Sequence, residues 1–167
     1  ADLEELLEIT DHIVFNSERQ LRKHGARCRE AGISVGLRLN PQCSTQGDHA
    51  LYDPCAPGSR FGVTLDKIPS DLLDLVDGLH FHTLCEQGSD DLETTLKAVE
   101  AQFGSYLHEV KWLNMGGGHH ITREGYDVNL LISEIKRIRE TYNLEVYIEP
   151  GEACLLYTSD AADDSLR

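Results

Sequence analysis

The chain has 167 residues, 40% hydrophobic and 26% charged, which is long enough and apolar enough to bury the core of one ordinary soluble domain. Fifteen basic against 29 acidic residues give a formal net charge of −14, which disfavours nucleic acid as a partner and favours cationic ligands. No apolar run approaches the roughly 20 residues of a membrane-spanning helix, and the first ten residues lack the basic-then-apolar order of a signal peptide. We therefore expect a cytoplasmic protein without nucleic-acid or membrane partners.

The cysteine pattern excludes two further classes. The five cysteines are odd in number and form no Cys-x-x-Cys pair, which disfavours a disulfide framework and a zinc ribbon. We expect reduced thiols and no structural metal.

Along the chain, short β-rich runs alternate with helical patterns. The run "HIVFNS" at 12–17 predicts a strand, and Ser17 followed by Gln20 predicts the start of a helix that Gly32 ends. A second strand, "SVGLRLNP", is predicted at 34–41 and stops at Asn-Pro. The long stretch that follows is rich in turn residues, and loops of this length inside an α/β domain are usually functional.

The rest of the chain continues this alternation. Three further strands are predicted at 77–83, 110–115 and 144–150, and helical patterns at 71–76, 90–103 and 126–142. Strands that alternate with helices in this way indicate parallel βα units.

Polar residues that could bind a ligand or take part in catalysis follow every predicted strand: Asn16 and Ser17, Arg38 and Asn40, His80 and His82, Asn114, and Glu149. In a (β/α)₈ barrel the active site is assembled at the carboxyl ends of the strands. A doubly wound dinucleotide-binding sheet would instead need G-x-G-x-x-G after its first strand, and that motif is absent. The predicted fold class is therefore α/β, as part of a (β/α)₈ barrel of the TIM type.

Three consecutive glycines, Gly116 to Gly118 in "WLNMGGGHH", follow the fourth strand. Glycines let the backbone turn sharply and leave N–H groups open, which suits an anion such as phosphate. A tight turn between strand and helix is the structural alternative.

Three segments together resemble a known family: "HFHTLCEQGSDDLE", "WLNMGGGHHITREGYDVNLLI" and "VYIEPGEA". They are similar to the carboxynorspermidine (carboxyspermidine) branch of the fold-type III, alanine-racemase-like pyridoxal-phosphate decarboxylases, over residues 3–153. The order FH, then NxGGG, then EPG carries the resemblance. Sibling decarboxylases of ornithine or diaminopimelate usually have glycine-serine after the histidine and EPGR in the last motif, so "HTLCEQ" and "EPGEA" favour the carboxynorspermidine branch.

The resemblance implies a pyridoxal 5'-phosphate cofactor and roles for several residues. His82 would stack on the cofactor ring, and Gly116 to Gly118 would hold its phosphate. Glu149 would pair with the pyridine nitrogen, and Arg38 would lie on the barrel floor near the ring. Glu152, where the siblings have arginine, would attract an ammonium group of a cationic polyamine. The implied enzyme is a homodimer that decarboxylates carboxynorspermidine or carboxyspermidine in polyamine biosynthesis.

The resemblance also implies that the chain is a fragment. The family's cofactor-binding lysine lies on an earlier strand, and its C-terminal β-domain should follow "EPGEA". The lysines present fall on predicted helices or loops, so none is expected to substitute: Lys23, Lys67, Lys97, Lys111 and Lys136. After Ala153 the sequence turns abruptly polar, so we expect 1–153 to be part of the barrel domain and 154–167 to be a non-native tail, and the fragment itself to be inactive.

Two other functions stay open at this point. His80 and His82 share one face of a strand, as do two metal ligands of amidohydrolase-type barrels. A non-catalytic, regulatory protein that binds pyridoxal phosphate is the other alternative. Single residues also have structural alternatives: His80 and His82 as core histidines, Glu149 as a cap or ion-pair acceptor, Cys85 as a small buried hydrophobe, and His119 and His120 as exposed residues before a helix, with phosphate contact by one of them as the functional alternative.

Overall fold

A computed structural model describes residues 3–47, 53–151 and 153. One parallel sheet has its strands in chain order: β1 (His12–Phe15), β2 (Ser34–Arg38), β3 (Gly78–His80), β4 (Trp112–Asn114) and β5 (Glu145–Tyr147). The helices are α1 (Leu3–Leu7), α2 (Glu18–Glu30), α3 (Leu72–Leu75), α4 (Ser89–Leu107) and α5 (Val128–Tyr142), with a 3₁₀ turn at Leu65–Lys67. All five predicted strands are present, each shorter than predicted, whereas α1 and the 3₁₀ turn were not predicted.

The strand order separates the two α/β architectures. Each strand pairs in parallel with its neighbour in sequence, from β1 to β5, without a reversal of direction across the sheet. A doubly wound sheet reverses its order at a switch point, and a barrel does not. The sheet therefore has the order of consecutive barrel strands.

Local signals start and stop the longer helices. The Ser17 hydroxyl accepts a hydrogen bond from the Gln20 N–H at 3.4 Å at the start of α2, as predicted. At α5 the Asp127 carboxylate accepts from the Leu130 N–H at 2.9 Å, and Asn143 ends the helix in the left-handed conformation. These caps fix where each helix meets the sheet.

The outer face of the sheet is apolar and covered by helices. Val35, Leu37, Leu79 and Leu113 have no exposed surface and join one core cluster with the buried side of α4. Helix α2 packs on β1 and β2, and α5 packs on β5 and against α4. Each such fully buried side chain contributes about 1.5–3 kcal/mol, so this face holds the fold together.

The inner face carries the alternate residues of the same strands. Gly36, Gly78 and Trp112 stand side by side in register, and a Cβ on either glycine would overlap the indole of Trp112. The indole N–H donates to the Ser34 hydroxyl at 2.8 Å, and Trp112 is only 3% exposed. The indole thus fills the layer directly beneath the next inner row of side chains.

No helix in the described part of the chain is long and apolar enough to span a membrane.

Candidate functional site

The inner row above Trp112 is polar, and it lies at the carboxyl ends of the strands. Arg38, His80 and Asn114 are neighbours in register across β2, β3 and β4. Two residues further along, His82 and Glu149 come to the same edge. The Asn114 Nδ2 donates to Glu149 Oε1 at 2.8 Å, and His80 Nε2 lies 4.0 Å from Glu149 Oε2. The structure thus brings the predicted residues at these strand ends together.

Burial determines the protonation of the two imidazoles. His80 is 7% exposed, and burial lowers its pKa to about 4, although the Glu149 carboxylate opposes this shift. Burial also lowers the pKa of His82, and the nearby Arg38 guanidinium adds to this effect. Both rings are therefore neutral at pH 7, and Arg38 and Glu149 supply the charge in this group.

Arg38 is held in the inner row of the site by two contacts. Its Nη2 donates to the His82 carbonyl at 3.0 Å, and its Cζ lies 4.7 Å from the centroid of the Phe61 ring. Asn16, at the end of β1, holds the Phe61 segment by donating to the Arg60 carbonyl at 2.8 Å and accepting from the Gly62 N–H at 3.0 Å. Phe61 carries no sequence signal, because only the fold brings this loop over Arg38.

The three glycines form a segment that we call the glycine loop (Gly116–Gly118). Gly116 and Gly118 have φ of 68° and 79°, and side chains there would overlap the Phe81 and Leu84 carbonyls. A Cβ on Gly117 would lie 2.7 Å from the Glu149 carbonyl. Close approach of the neighbouring strand ends thus requires glycine at all three positions, which supports the structural interpretation of the motif.

Two N–H groups of the glycine loop already have acceptors. Gly116 donates to Asn114 Oδ1 at 2.8 Å, and Gly117 donates to His82 Nδ1 at 3.3 Å. An anion at the loop would compete with these bonds. The same contacts connect the glycine loop directly to His82 and, through Asn114, to Glu149.

Two structural expectations for neighbouring residues are wrong. His119 is 1% exposed, because it follows Gly118 back into the core, where its ring lies beside the Met115 and Gly116 backbones. His120 is half-buried. Cys85 is exposed rather than buried, because the chain leaves the sheet before it and turns at Glu86, whose φ is 55°.

The lysines lie on helices or in loops, as predicted. Lys23, Lys97 and Lys136 are on helices, Lys67 is in the 3₁₀ turn, and Lys111 precedes β4, where it pairs with Asp77 at 2.8 Å. Glu152 and residues 154–167 lie outside the described residues.

One cluster of possible metal ligands coincides with the site. His80, His82 and Glu149 each offer a ligand atom, and these atoms lie within 4.8 Å of one another. However, the Arg38 guanidinium is close enough to lower the pKa of both imidazoles, and the same positive charge repels a dication. The electrostatics therefore favour a ligand with an anionic group over a metal ion.

Comparison with known proteins gives consistent results. No protein-family profile matches the chain. A carboxynorspermidine/carboxyspermidine decarboxylase of Campylobacter jejuni is 41% identical over 152 residues, which are 91% of this chain and 39% of that protein. A carboxyaminopropylagmatine decarboxylase of Synechocystis is 38% identical over 154 residues, with 91% of this chain and 39% of that protein covered.

The fold matches as well. The crystal structure of carboxynorspermidine decarboxylase complexed with norspermidine from Campylobacter jejuni has a TM-score of 0.80 and 39% identity, covering 91% of this chain and 38% of that one. The predicted fold class, part of an alanine-racemase-like α/β barrel, is thus confirmed. The chain spans about 39% of the length of the curated relatives it matches. Over that span it is similar to the carboxynorspermidine/carboxyspermidine decarboxylases, which confirms the resemblance found in its motifs.

Proposed function

We propose that the complete gene product containing this chain is a pyridoxal-phosphate-dependent decarboxylase of carboxynorspermidine or carboxyspermidine, acting in polyamine biosynthesis as a cytoplasmic homodimer. The observation that carries this proposal is the convergence of His82, Glu149 and the glycine loop at one edge of the sheet. The similarity to curated decarboxylases over 91% of the chain supports it.

The residues at the site fit this cofactor. A neutral, half-buried imidazole at His82 suits stacking on an aromatic ring, and the Glu149 carboxylate suits a pyridinium nitrogen. The glycine loop has no side chains in the way of a phosphate, which would compete with Asn114 Oδ1 and His82 Nδ1 for two N–H groups. When bound, the cofactor supplies an electron sink for the carbanion that departing CO₂ leaves.

The residues of this chain contribute by placing charges in the site and by orienting the groups that carry them. Glu149 would keep a proton on the nitrogen of the cofactor ring, and Asn114 orients that carboxylate through their 2.8 Å hydrogen bond. His80 lies beneath Glu149 and is neutral, so it neither protonates the carboxylate nor adds a positive charge beside it. Arg38 fixes the backbone at His82 and places a positive charge beside both imidazoles.

The choice of substrate rests on charge. Glu152 stands where sibling decarboxylases have arginine, and an acidic residue there favours a cationic polyamine over a plain amino acid. The net charge of −14 acts in the same direction. Because the Synechocystis protein is named a carboxyaminopropylagmatine decarboxylase, carboxyaminopropylagmatine is a further substrate to be tested.

An activity profile of the complete gene product tests the proposal. The substrates are carboxynorspermidine, carboxyspermidine and carboxyaminopropylagmatine, with ornithine, arginine and diaminopimelate as plain amino acids. We expect CO₂ release from one of the carboxylated polyamines, with the plain amino acids at least about tenfold poorer in kcat/KM, which is about 1.4 kcal/mol in transition-state binding. A tenfold preference for a plain amino acid overturns the substrate assignment. Bound cofactor without any turnover supports the non-catalytic alternative.

A further inference from the structure

Gln87 lies where the loops after β2, β3 and β4 meet. Its Oε1 accepts hydrogen bonds from Gln46 Nε2 at 2.5 Å and from Thr45 Oγ1 at 3.1 Å, and its Nε2 donates to the Thr45 carbonyl at 2.6 Å. One side-chain amide thus holds the loop after β2 through both its acceptor and its donor. The three bonds connect segments about 42 residues apart in sequence.

The backbone of Gln87 holds the end of the glycine loop. Its N–H donates to the Gly118 carbonyl at 3.0 Å, and its carbonyl accepts from the His120 N–H at 3.3 Å. A side chain at Gly118 would lie 2.8 Å from the Cys85 nitrogen, so the two loops touch without space between them. Any movement of Gln87 therefore moves Gly118.

The turn that precedes Gln87 has a strained backbone conformation. Glu86 has a φ of 55°, a left-handed conformation that is strained for a non-glycine residue. The Cys85 N–H donates to Gln87 Oε1 at 3.4 Å, and the buried Gln46 also donates to the Thr83 carbonyl at 3.2 Å. The Gln87 amide thus stabilises a turn that the backbone alone disfavours.

We propose that Gln87 is a positioning residue for the phosphate group of the cofactor, and this inference rests on the proposed function. Its side chain fixes the loop after β2, and its backbone fixes Gly118, so it sets the position of the glycine loop relative to the Arg38 side of the site. It touches no reacting atom. Loss of its amide releases the glycine loop and weakens binding of the phosphate without altering the chemistry at the ring.

Two variants and a matched control in the complete gene product test this role. Gln87→Ala removes the amide, and Gln87→Met keeps a similar length without charge but loses both the donor to the Thr45 carbonyl and the acceptor for Gln46 and Thr45. Gln102→Ala is the control, because Gln102 Nε2 holds the same loop through the Pro41 carbonyl at 2.6 Å and makes no hydrogen bond to the glycine loop. For each protein we would measure the Kd of pyridoxal phosphate by absorbance titration, the Tm without cofactor, and kcat at saturating cofactor.

We expect the Kd to rise about tenfold in Gln87→Ala and in the same direction in Gln87→Met, because a net loss of one or two hydrogen bonds is of this size. The kcat at saturating cofactor should stay close to that of the wild type. Gln102→Ala should lower the Tm without changing the Kd.

An unchanged Kd in the Gln87 variants, or an equal rise in Gln102→Ala, would show that Gln87 is only structural. If Gln87→Ala does not fold, the Kd of Gln87→Met decides the question. If the wild-type protein binds no pyridoxal phosphate, both the proposed function and this inference are wrong. If the wild type binds it and the Gln87 variants bind it equally well, only this inference is wrong.

Discussion

Glu149 has an exposed carboxylate whose direction is set by one neighbour, Asn114. An amide at position 149 can still accept the Asn114 hydrogen bond but carries no charge. This makes the charge of Glu149 separable from its geometry.

We therefore predict that Glu149→Gln in the complete gene product lowers kcat by about 10²-fold or more while changing the Kd of pyridoxal phosphate much less. The reason is that the ring nitrogen loses the charge that keeps it protonated. Glu145→Gln is the matched control, because Glu145 lies on the same face of β5 but at the opposite end of the strand. Loss of cofactor with unchanged turnover per bound cofactor would instead assign Glu149 a structural role.

A second prediction concerns the pH dependence that the buried His80 imposes. The folded protein keeps His80 neutral down to pH about 4, whereas the unfolded chain protonates near the ordinary pKa of 6.5. Between these values the unfolded state binds more protons, so the free energy of unfolding falls as the pH is lowered, by at most about 1.4 kcal/mol per pH unit from this group. Burial lowers the pKa of His82 and His119 as well, which adds to the fall.

Urea unfolding of the complete gene product without cofactor, at several pH values between 7 and 4.5, measures this dependence. We expect a shallower fall in His80→Asn than in the wild type. Equal slopes would show that His80 is not held neutral in the folded protein.

Single residues differ in how far sequence could predict them. The strand-end positions of Arg38, His80 and Glu149 follow from the alternation of side chains, because parallel strands end at one edge. The roles of Phe61 and Gln87 could not be predicted. The side chain of Gln87 bonds to residues 41 or 42 positions away in sequence, and Phe61 is placed over Arg38 by a loop that Asn16 holds. The burial of His119 could not be predicted, because no sequence pattern around a histidine in a turn shows whether its ring is buried or exposed.

At the scale of the elements, the glycine loop after β4 has glycines because the neighbouring backbone leaves no space for side chains there. Gly118 and Gly125 have nearly the same φ, 79° and 81°, but a Cβ on Gly118 would overlap the Leu84 carbonyl, whereas a Cβ on Gly125 would have nothing within 4 Å. The pair therefore separates backbone strain from crowding.

We predict that Gly125→Ala costs about 1 kcal/mol of unfolding free energy through its backbone alone. Gly118→Ala should cost about 2 kcal/mol more, because the loop after β3 must move away. Denaturant unfolding of both variants checks this. Equal costs would mean that the two loops are not packed as tightly as described.

The elements themselves were largely predictable, because apolar alternation and helix caps are local signals. The predicted strands extend past their observed ends, since the alternation continues through His82 and Glu149 after regular pairing stops. The path of the loop after β2 could not be predicted, because this loop is held by hydrogen bonds to residues of the loop after β3, such as Gln87.

At the scale of the whole molecule, the sheet has two edges in the described part of the chain. β1 pairs only with β2, and β5 only with β4. Strand edges beside apolar faces attract other chains. The surrounding barrel would cover these edges in a closed (β/α)₈ protein.

We predict that the 167 residues expressed alone aggregate or stay loosely folded, form no stable dimer and release no CO₂ from carboxynorspermidine. Size-exclusion chromatography, together with absorbance after addition of pyridoxal phosphate before and after borohydride, measures this. A monodisperse dimer with a reducible absorption band and CO₂ release would show that one of the five lysines is catalytic after all.

The indole packed over Gly36 and Gly78 also makes the inner face visible to spectroscopy. These 167 residues contain a single tryptophan, Trp112, and its ring is shielded from water in the layer beneath the polar row. Its emission therefore reports one place: it shifts to longer wavelength when β4 separates from β2 and β3. Because pyridoxal phosphate absorbs where indoles emit, the same signal would be quenched by that cofactor in the layer above, which would make Trp112 an optical probe of the candidate site.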